Sequence, residues 1–387
     1  MKNPIYLFLV PFFPTKNCHG GAYIYDQVKA IQATEKYDVV VLQDTANPVS
    51  SGDYEYNGVK VYRFKQRNLP SALWPGFFDR YNFRSLDKCL KRLNIDINNI
   101  TVVHAHMIRQ GAYAVHLKRR NPQILTMLQH HGYDVLAIGD GRFASYEWHK
   151  RRAKAYGTKI CNEIDLHIGV SRATLAQLDN YPNIKVKDSY VLYNGVDKAI
   201  FHPITYKPNK IFTIGCVANF WKIKDQITLI KAVAILSQKY NCEVRAIFVG
   251  TGFTLEECKN YVAEHGLSQM IYFRLPVPHD KLIEVYNSFD LFVLPSYWDT
   301  LGCVYLEAYA CGVPFMAAEG TGIKELIPEE EQTKWIAPKS DPEKLAKMIY
   351  DYIEYRYPQT LSQSININDL VSNFLKVIDN KRLDLSI

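Results

Sequence analysis

Residues 291–318 read Leu291-Phe-Val-Leu-Pro-Ser-Tyr-Trp-Asp299-Thr-Leu-Gly302-Cys-Val-Tyr-Leu-Glu307-Ala-Tyr-Ala-Cys-Gly-Val-Pro314-Phe-Met-Ala-Ala318. Two short runs, Leu291–Leu294 and Pro314–Ala318, are apolar without interruption, the pattern of strands covered on both faces of a parallel sheet. Between them a polar loop, Ser296 to Gly302, leads into a segment that turns helical near Gly302. Strand, polar loop, helix, strand is one step of an α/β sheet.

Outward from this stretch the same step repeats. Apolar runs recur at Ile5–Val10, Val39–Leu42, Val59–Phe64, Val102–His104, Ile124–Leu128, Leu166–Val170 and Tyr190–Tyr193, and again at Phe212–Val217, Val244–Gly250 and Ile271–Phe273. Helical patterns such as Tyr25–Thr34, Ile227–Tyr240, Leu255–His265 and His279–Asn287 lie between them. Alternation sustained twice over predicts an α/β protein of two doubly wound, Rossmann-like domains facing across a cleft. The turn Asn194-Gly-Val-Asp197 and the prolines at 203 and 208 place the seam near residue 200. The expected division is residues 1–200, residues 201–360, and a tail, 361–387, whose helix Leu370–Ile378 returns to the first domain.

The chain has 387 residues, 48% hydrophobic and 22% charged, which excludes a disordered or collagen-like polymer. Eight scattered cysteines without a Cys-x-x-Cys suit reduced thiols in the cytoplasm rather than a disulfide framework or zinc ribbon. The apolar stretch Pro4 to Pro14 is about half the roughly 20 residues of a spanning helix and reads as a first strand, not a signal peptide. Residues 1–200 carry 27 Lys and Arg against 17 Asp and Glu, whereas residues 201–387 carry 19 against 22. A basic first half asks for an anionic partner: phosphate, nucleic acid or an acidic membrane surface. The cations are spread along the chain, without a helix-turn-helix, zinc finger or RNA-binding aromatic motif, so nucleic acid is not expected.

Open parallel sheets bind ligands beyond the carboxyl ends of their strands, and polar and glycine-rich residues cluster there. Asn219 to Asp225, with Lys224, follows one strand; Gly250-Thr-Gly252 follows the next; Gly320-Thr-Gly322 lies three residues before Glu325. A lysine beside helix N-termini is what a diphosphate needs. Asp299 and Glu307, eight residues apart, suit two sets of sugar hydroxyls. Taken singly, Glu307 equally suits a helix cap or the surface, and Lys224 a solvated face. In the first half, Gly20-Gly21 precedes a helix, His104-Ala-His106 ends one strand and His130-His131-Gly132-Tyr-Asp134 ends another. Alternation puts His104 and His106 on one strand face, but no carboxylate or cysteine nearby completes a ligand set. The chain also lacks Asp-x-Asp, so neither a metal nor another cofactor is expected.

In their order and spacing these residues resemble the family-four glycosyltransferases, retaining enzymes of the GT-B fold. The most specific part is Leu-Phe-Val-Leu-Pro-Ser, Asp299-x7-Glu307-Ala, Ala-Cys-Gly-Val-Pro, Gly322 and Glu325; supporting matches are His104-Ala-His106, His131-Gly-x-Asp134, Val170-Ser171, Asn194-Gly-Val-Asp197, Lys224 and Val249-Gly-x-Gly252. The resemblance implies that Gly20 and Gly21 admit the donor diphosphate and acceptor, that His131 contacts the transferred sugar, and that Lys224 neutralises the diphosphate. It further implies Gly250 and Gly252 near the nucleotide, Glu307 on the ribose, Asp299 on the donor sugar, and backbone amides around Thr300, Leu301 and Gly302 on the sugar or distal phosphate. The family usually has Glu at the position of Asp299 and Arg at that of Asn219, where Lys222 is the nearby substitute cation. The implied activity is sugar transfer from a nucleotide sugar to a glycan or lipid-linked acceptor in cell-surface polysaccharide or lipopolysaccharide synthesis. A nucleotide-sugar epimerase or a silent sugar-nucleotide-binding subunit stands as the alternative. The runs Lys118-Arg-Arg120, Lys150-Arg-Arg-Ala-Lys154 and Leu73 to Arg84 suit an anionic inner-membrane surface, or a solvated helix face beside a packed aromatic loop.

Overall fold

Branched and aromatic runs this short leave water only by lying side by side in a sheet covered on both faces. The computed structural model describes residues 3–16, 18, 20–46, 52–69, 73–132, 146–181, 183–205 and 209–386. The chain forms two compact units, residues 1–193 with 367–387, and residues 194–366. The first contains β1 (Ile5–Val10), α1 (Ala22–Gln32), β2 (Asp38–Thr45), β3 (Tyr54–Tyr56), β4 (Val59–Lys65), α2 (Asp79–Arg92), β5 (Ile100–His106), α3 (Ile108–Arg120), β6 (Leu125–His130), α4 (Glu147–Cys161), β7 (Leu166–Gly169), α5 (Arg172–Ala176) and β8 (Ser189–Val191). Its sheet runs β3-β4-β2-β1-β5-β6-β7-β8, parallel except for the β3–β4 hairpin. All six residues of β1 are buried, which is why it sits in the middle.

The hairpin was not expected from the sequence, because Tyr54-Glu-Tyr56 is too short and polar to signal a strand. Asn57 and Gly58, with φ of 46° and 82°, supply the two left-handed residues that its tight turn demands.

The second unit contains β9 (Phe212–Val217), α6 (Gln226–Tyr240), β10 (Val244–Val249), α7 (Leu255–Glu264), β11 (Ile271–Arg274), α8 (Leu282–Asn287), β12 (Leu291–Leu294), α9 (Cys303–Ala310), β13 (Phe315–Ala318), α10 (Gln332–Trp335), β14 (Ile336–Ala337) and α11 (Pro342–Tyr355). Its sheet, β11-β10-β9-β12-β13-β14, is wholly parallel. In each unit the first strand is central and the winding reverses beside it, between β1 and β5 and between β9 and β12. The turn Asn194 to Asp197 falls in the second unit. There Val196 N donates to Ile365 O at 2.8 Å, which also brings residues 361–366 into this unit.

The last helix, α12 (Ile367–Ser386), is twice as long as its apolar core predicts. Ile367, Val371, Phe374, Leu375 and Ile378 are buried in one cluster with Tyr6, Phe8, Ile24 and Val28 of the first unit. Beyond Ile378 the helix continues on polar residues paired to that unit, through Lys36–Asp379 and Lys381–Asp188. Phe374 is fully buried, with ring contacts to Tyr190 and His104. Phe374→Ala is expected to destabilise the first unit by about 3–5 kcal/mol, the cost of a large buried side chain. Urea unfolding checks this, and an unchanged midpoint would show that α12 contributes no core.

Candidate active site

The loops after β9 and β12 leave neighbouring strands at the switch point of the second sheet, so they must touch. Tyr297 N and the Ser296 hydroxyl both donate to the carbonyl of Ile223, at 3.1 and 3.0 Å. This contact brings Lys224 Nζ within 2.6 Å of Asp299 Oδ2. Their side chains are 25% and 16% exposed, so Lys224 does not belong to a solvated face. Behind it, the Asp299 backbone bridges to Thr321 and its carbonyl accepts from Gly322 N at 3.0 Å, which adds the 320–322 turn to the site.

Three residues further, Gly302 turns the chain into α9 with φ of 81°; a Cβ there would stand 2.6 Å from the Tyr305 ring. Leu301 is fully buried and Thr300 half-buried, and the first turn of α9 offers N–H groups that the helix itself cannot satisfy. Glu307 lies on α9 and is 8% exposed, neither a cap nor a surface residue. The Tyr286 hydroxyl donates to Glu307 Oε2 at 2.6 Å, and His279 Nε2 lies 3.5 Å from Oε1. Burial first, and then the Glu307 charge, push the Tyr286 hydroxyl well above its ordinary range, so it stays a donor. Neither Tyr286 nor His279 stood out in the sequence. They sit in an ordinary amphipathic segment, and only the fold brings them to Glu307.

Gly250 and Gly252 lock the third loop of the site. Both have φ above 150°, and a Cβ on Gly250 would lie 2.0 Å from the carbonyl oxygen of Ala218. Phe220 N donates to Thr251 O at 2.9 Å, and Thr254 N returns a bond to Phe220 O at 3.1 Å. Asn219 is exposed at this junction; its carbonyl accepts from Gln226 Nε2 at 3.0 Å. Lys222 is exposed beside it. The structure therefore gathers Asn219, Lys224, Gly250, Gly252, Asp299, Thr300, Leu301, Gly302 and Glu307 at the carboxyl ends of β9, β10 and β12. The cation, the helix start and the buried acid suit a phosphate beside a polyol.

In the first unit, Gly20 and Gly21 lead from β1 into α1, and Tyr23 in the first turn of α1 packs its ring 4.8 Å from that of His131. Adjacent histidines go to opposite faces of the sheet. His130 Nε2 meets His167 Nδ1 at 3.0 Å on the α4 side, whereas His131 Nε2 meets His106 Nδ1 at 2.9 Å on the α1 side. Asp134 lies outside the described residues. Among the described residues no group of three or more His, Cys, Asp or Glu is placed to hold a metal ion.

Comparison with known proteins follows the same division. Residues 20–199 match the Glycosyltransferase Family 4 model, and residues 197–366 the model of glycosyl transferases group 1. The D-inositol 3-phosphate glycosyltransferase of Corynebacterium jeikeium is 31% identical over 30% of this chain and 29% of its own length. An uncharacterized glycosyltransferase of Methanocaldococcus jannaschii is 26% identical over 76% of this chain and 75% of its own. HepE of Anabaena, solved in complex with UDP, superposes with a TM-score of 0.73 at 16% identity, over 97% of this chain and 99% of that one.

Gly250→Ala forces a methyl group into a backbone carbonyl at a φ that side chains avoid. It is expected to cost on the order of 2 kcal/mol and to lower the melting temperature of the protein. Unaltered melting would mean that the 218–225 and 250–254 loops are not locked together.

Proposed function

This chain belongs to the family-four glycosyltransferases of the GT-B fold, and from that premise we propose that it moves a sugar from a nucleoside diphosphate to a glycan or lipid-linked acceptor, with retention of configuration and without a metal ion. The observation that carries this reading is the Lys224–Asp299 pair at the switch point, with Glu307 held by Tyr286 on the next helix. Lys224 opposes the negative charge that grows on the departing diphosphate, where the first turn of α9 adds its N–H groups. Asp299 accepts hydrogen bonds from hydroxyls of the donor sugar, and Glu307 from those of the ribose. A fixed lysine supplies the counter-charge that a divalent ion would otherwise bring. The acceptor attacks from the side of the leaving group, whose phosphate oxygen takes the acceptor proton, so no side-chain nucleophile is needed. His131 contacts the transferred sugar, beside Gly20 and Gly21. HepE's complex with UDP supports a nucleotide donor of this class.

Cell-surface polysaccharide or lipopolysaccharide synthesis, at the cytoplasmic face of a membrane, is the setting we assign to this reaction. Among the described residues no helix is long and apolar enough to cross a membrane. Lys118, Arg119 and Arg120 do not form the anion-binding patch their sequence suggested: they pair with Asp165, Glu163 and Asp87. The aromatic stretch is different. Trp74 and Phe77 are 48% and 58% exposed, Trp148 stands beside them, and the Arg152 guanidinium lies 3.9 Å over the Trp74 ring. Lys150 pairs with Glu147, and exposed indoles beside an arginine are the chemistry of a membrane interface.

Lys224→Ala is expected to lower sugar transfer at least tenfold in a variant that remains folded, measured with a panel of nucleotide sugars with and without glycan acceptors. Full activity in the folded variant would overturn the assignment, and a changed nucleotide sugar without transfer would point to an epimerase. Pelleting with anionic vesicles is expected at low salt, weaker at high salt and weaker still for Arg152→Glu. Absence of salt-sensitive pelleting by the unaltered protein refutes the membrane surface.

A further inference from the structure

Two histidines on β5 have no part in the scheme above. His104 and His106 lie on one face of the strand, fully buried among Tyr6, Phe8 and Phe374. The Tyr6 hydroxyl meets His104 Nδ1 at 3.0 Å, and the His104 and His106 rings stack with centroids 4.6 Å apart. His106 then reaches His131: Nδ1 and Nε2 are 2.9 Å apart, with the two rings within 11° of parallel. We infer that His106 is a positioning residue, which donates its Nδ1 proton to His131 Nε2 and so holds the His131 ring in one plane and in its Nδ1-protonated tautomer. The inference rests on the contact between His131 and the transferred sugar proposed above.

The direction of this bond follows from what surrounds the other nitrogen. Burial first, and then the neighbouring His104 and His131, hold the His106 pKa well below the ordinary histidine value, so the ring is neutral and carries a single proton. Were His131 the donor, that proton would sit on His106 Nε2, a buried atom without a hydrogen-bond partner among the described residues. With His106 as donor, only a lone pair is left there. Buried orphan N–H groups are rarer than under-satisfied acceptors, because the lost donor bond is costly and has no second lone pair to share the loss. The tautomer of one imidazole is then set by the other. His131 with its Nε2 lone pair engaged and its proton on Nδ1 is a hydrogen-bond donor to a sugar oxygen, not a base. That role matches a reaction in which the leaving phosphate takes the acceptor proton.

The test reads the tautomer directly. Two-bond ¹⁵N–¹H correlation spectra of the full chain, labelled at the histidine rings and assigned through His131→Gln, are expected to show His131 protonated at Nδ1. His106→Phe keeps a buried ring but removes the donor. It is expected to move His131 toward the Nε2-protonated form and to lower sugar transfer at least tenfold, with melting unchanged. His106→Asn places an amide N–H close to the lost Nδ1–H and is expected to restore the Nδ1 pattern and most of the rate. An Nε2-protonated His131 in the unaltered protein overturns the inference, as does an unmoved tautomer in a folded His106→Phe. Should His106→Phe fail to fold, the unaltered protein and His106→Asn decide. If the unaltered protein transfers no sugar, the transferase reading falls while the spectra still judge His106.

Discussion

A 2.6 Å contact between Lys224 and Asp299 closes the gap where two adjacent strands send their chains in opposite directions. A doubly wound sheet opens at that point because the loops after β9 and β12 are not carried over one another. Something must fill the opening, and here it is an ion pair held on both sides by backbone: Ile223 receives the 296–297 turn, and Asp299 is tied to the 321–322 turn. An exposed pair of this kind would contribute little to stability. Partly buried and braced, it serves instead to fix where one positive charge stands. The aspartate, a methylene shorter than a glutamate, reaches the ammonium directly.

Around that charge the site grades from polar to apolar within a few residues. Asn219 and Lys222 are exposed, Lys224 and Asp299 partly covered, and Glu307 is sunk in α9 against Tyr286. A carboxylate so deep needs donors, since an uncompensated buried charge is costly. Tyr286 supplies one to Oε2, and His279 Nε2 stands 3.5 Å from Oε1.

Continuous apolar strands were legible because burial on both faces leaves no polar residue to blur them: Ile5–Val10, Phe212–Val217 and Leu291–Leu294 begin and end where the sequence places them. β3 and β14, of three and two residues, exist only through pairing with β4 and β13, and no run that short carries a pattern. Asp299 and Glu307 were legible from their spacing around a strand-to-helix turn. The partner of Glu307 was not, since Tyr286 acts across 21 residues of chain from an ordinary amphipathic segment, and the meeting of His106 with His131, 25 residues apart, is made only by the fold. The triplet 118–120 misled for the same reason in reverse. Its charges are visible in sequence, whereas the carboxylates that neutralise them, 33 to 47 residues away, are not.

The return of α12 to the first unit sets an order of events during synthesis. Residues 194–366 form a contiguous unit and can close as soon as they leave the ribosome. The first unit, although made earlier, must wait with the apolar side of α1 and β1 uncovered until the segment after residue 366 arrives. Domains made first usually fold first; in this chain the earlier-made unit lacks part of its core until its final helix is available.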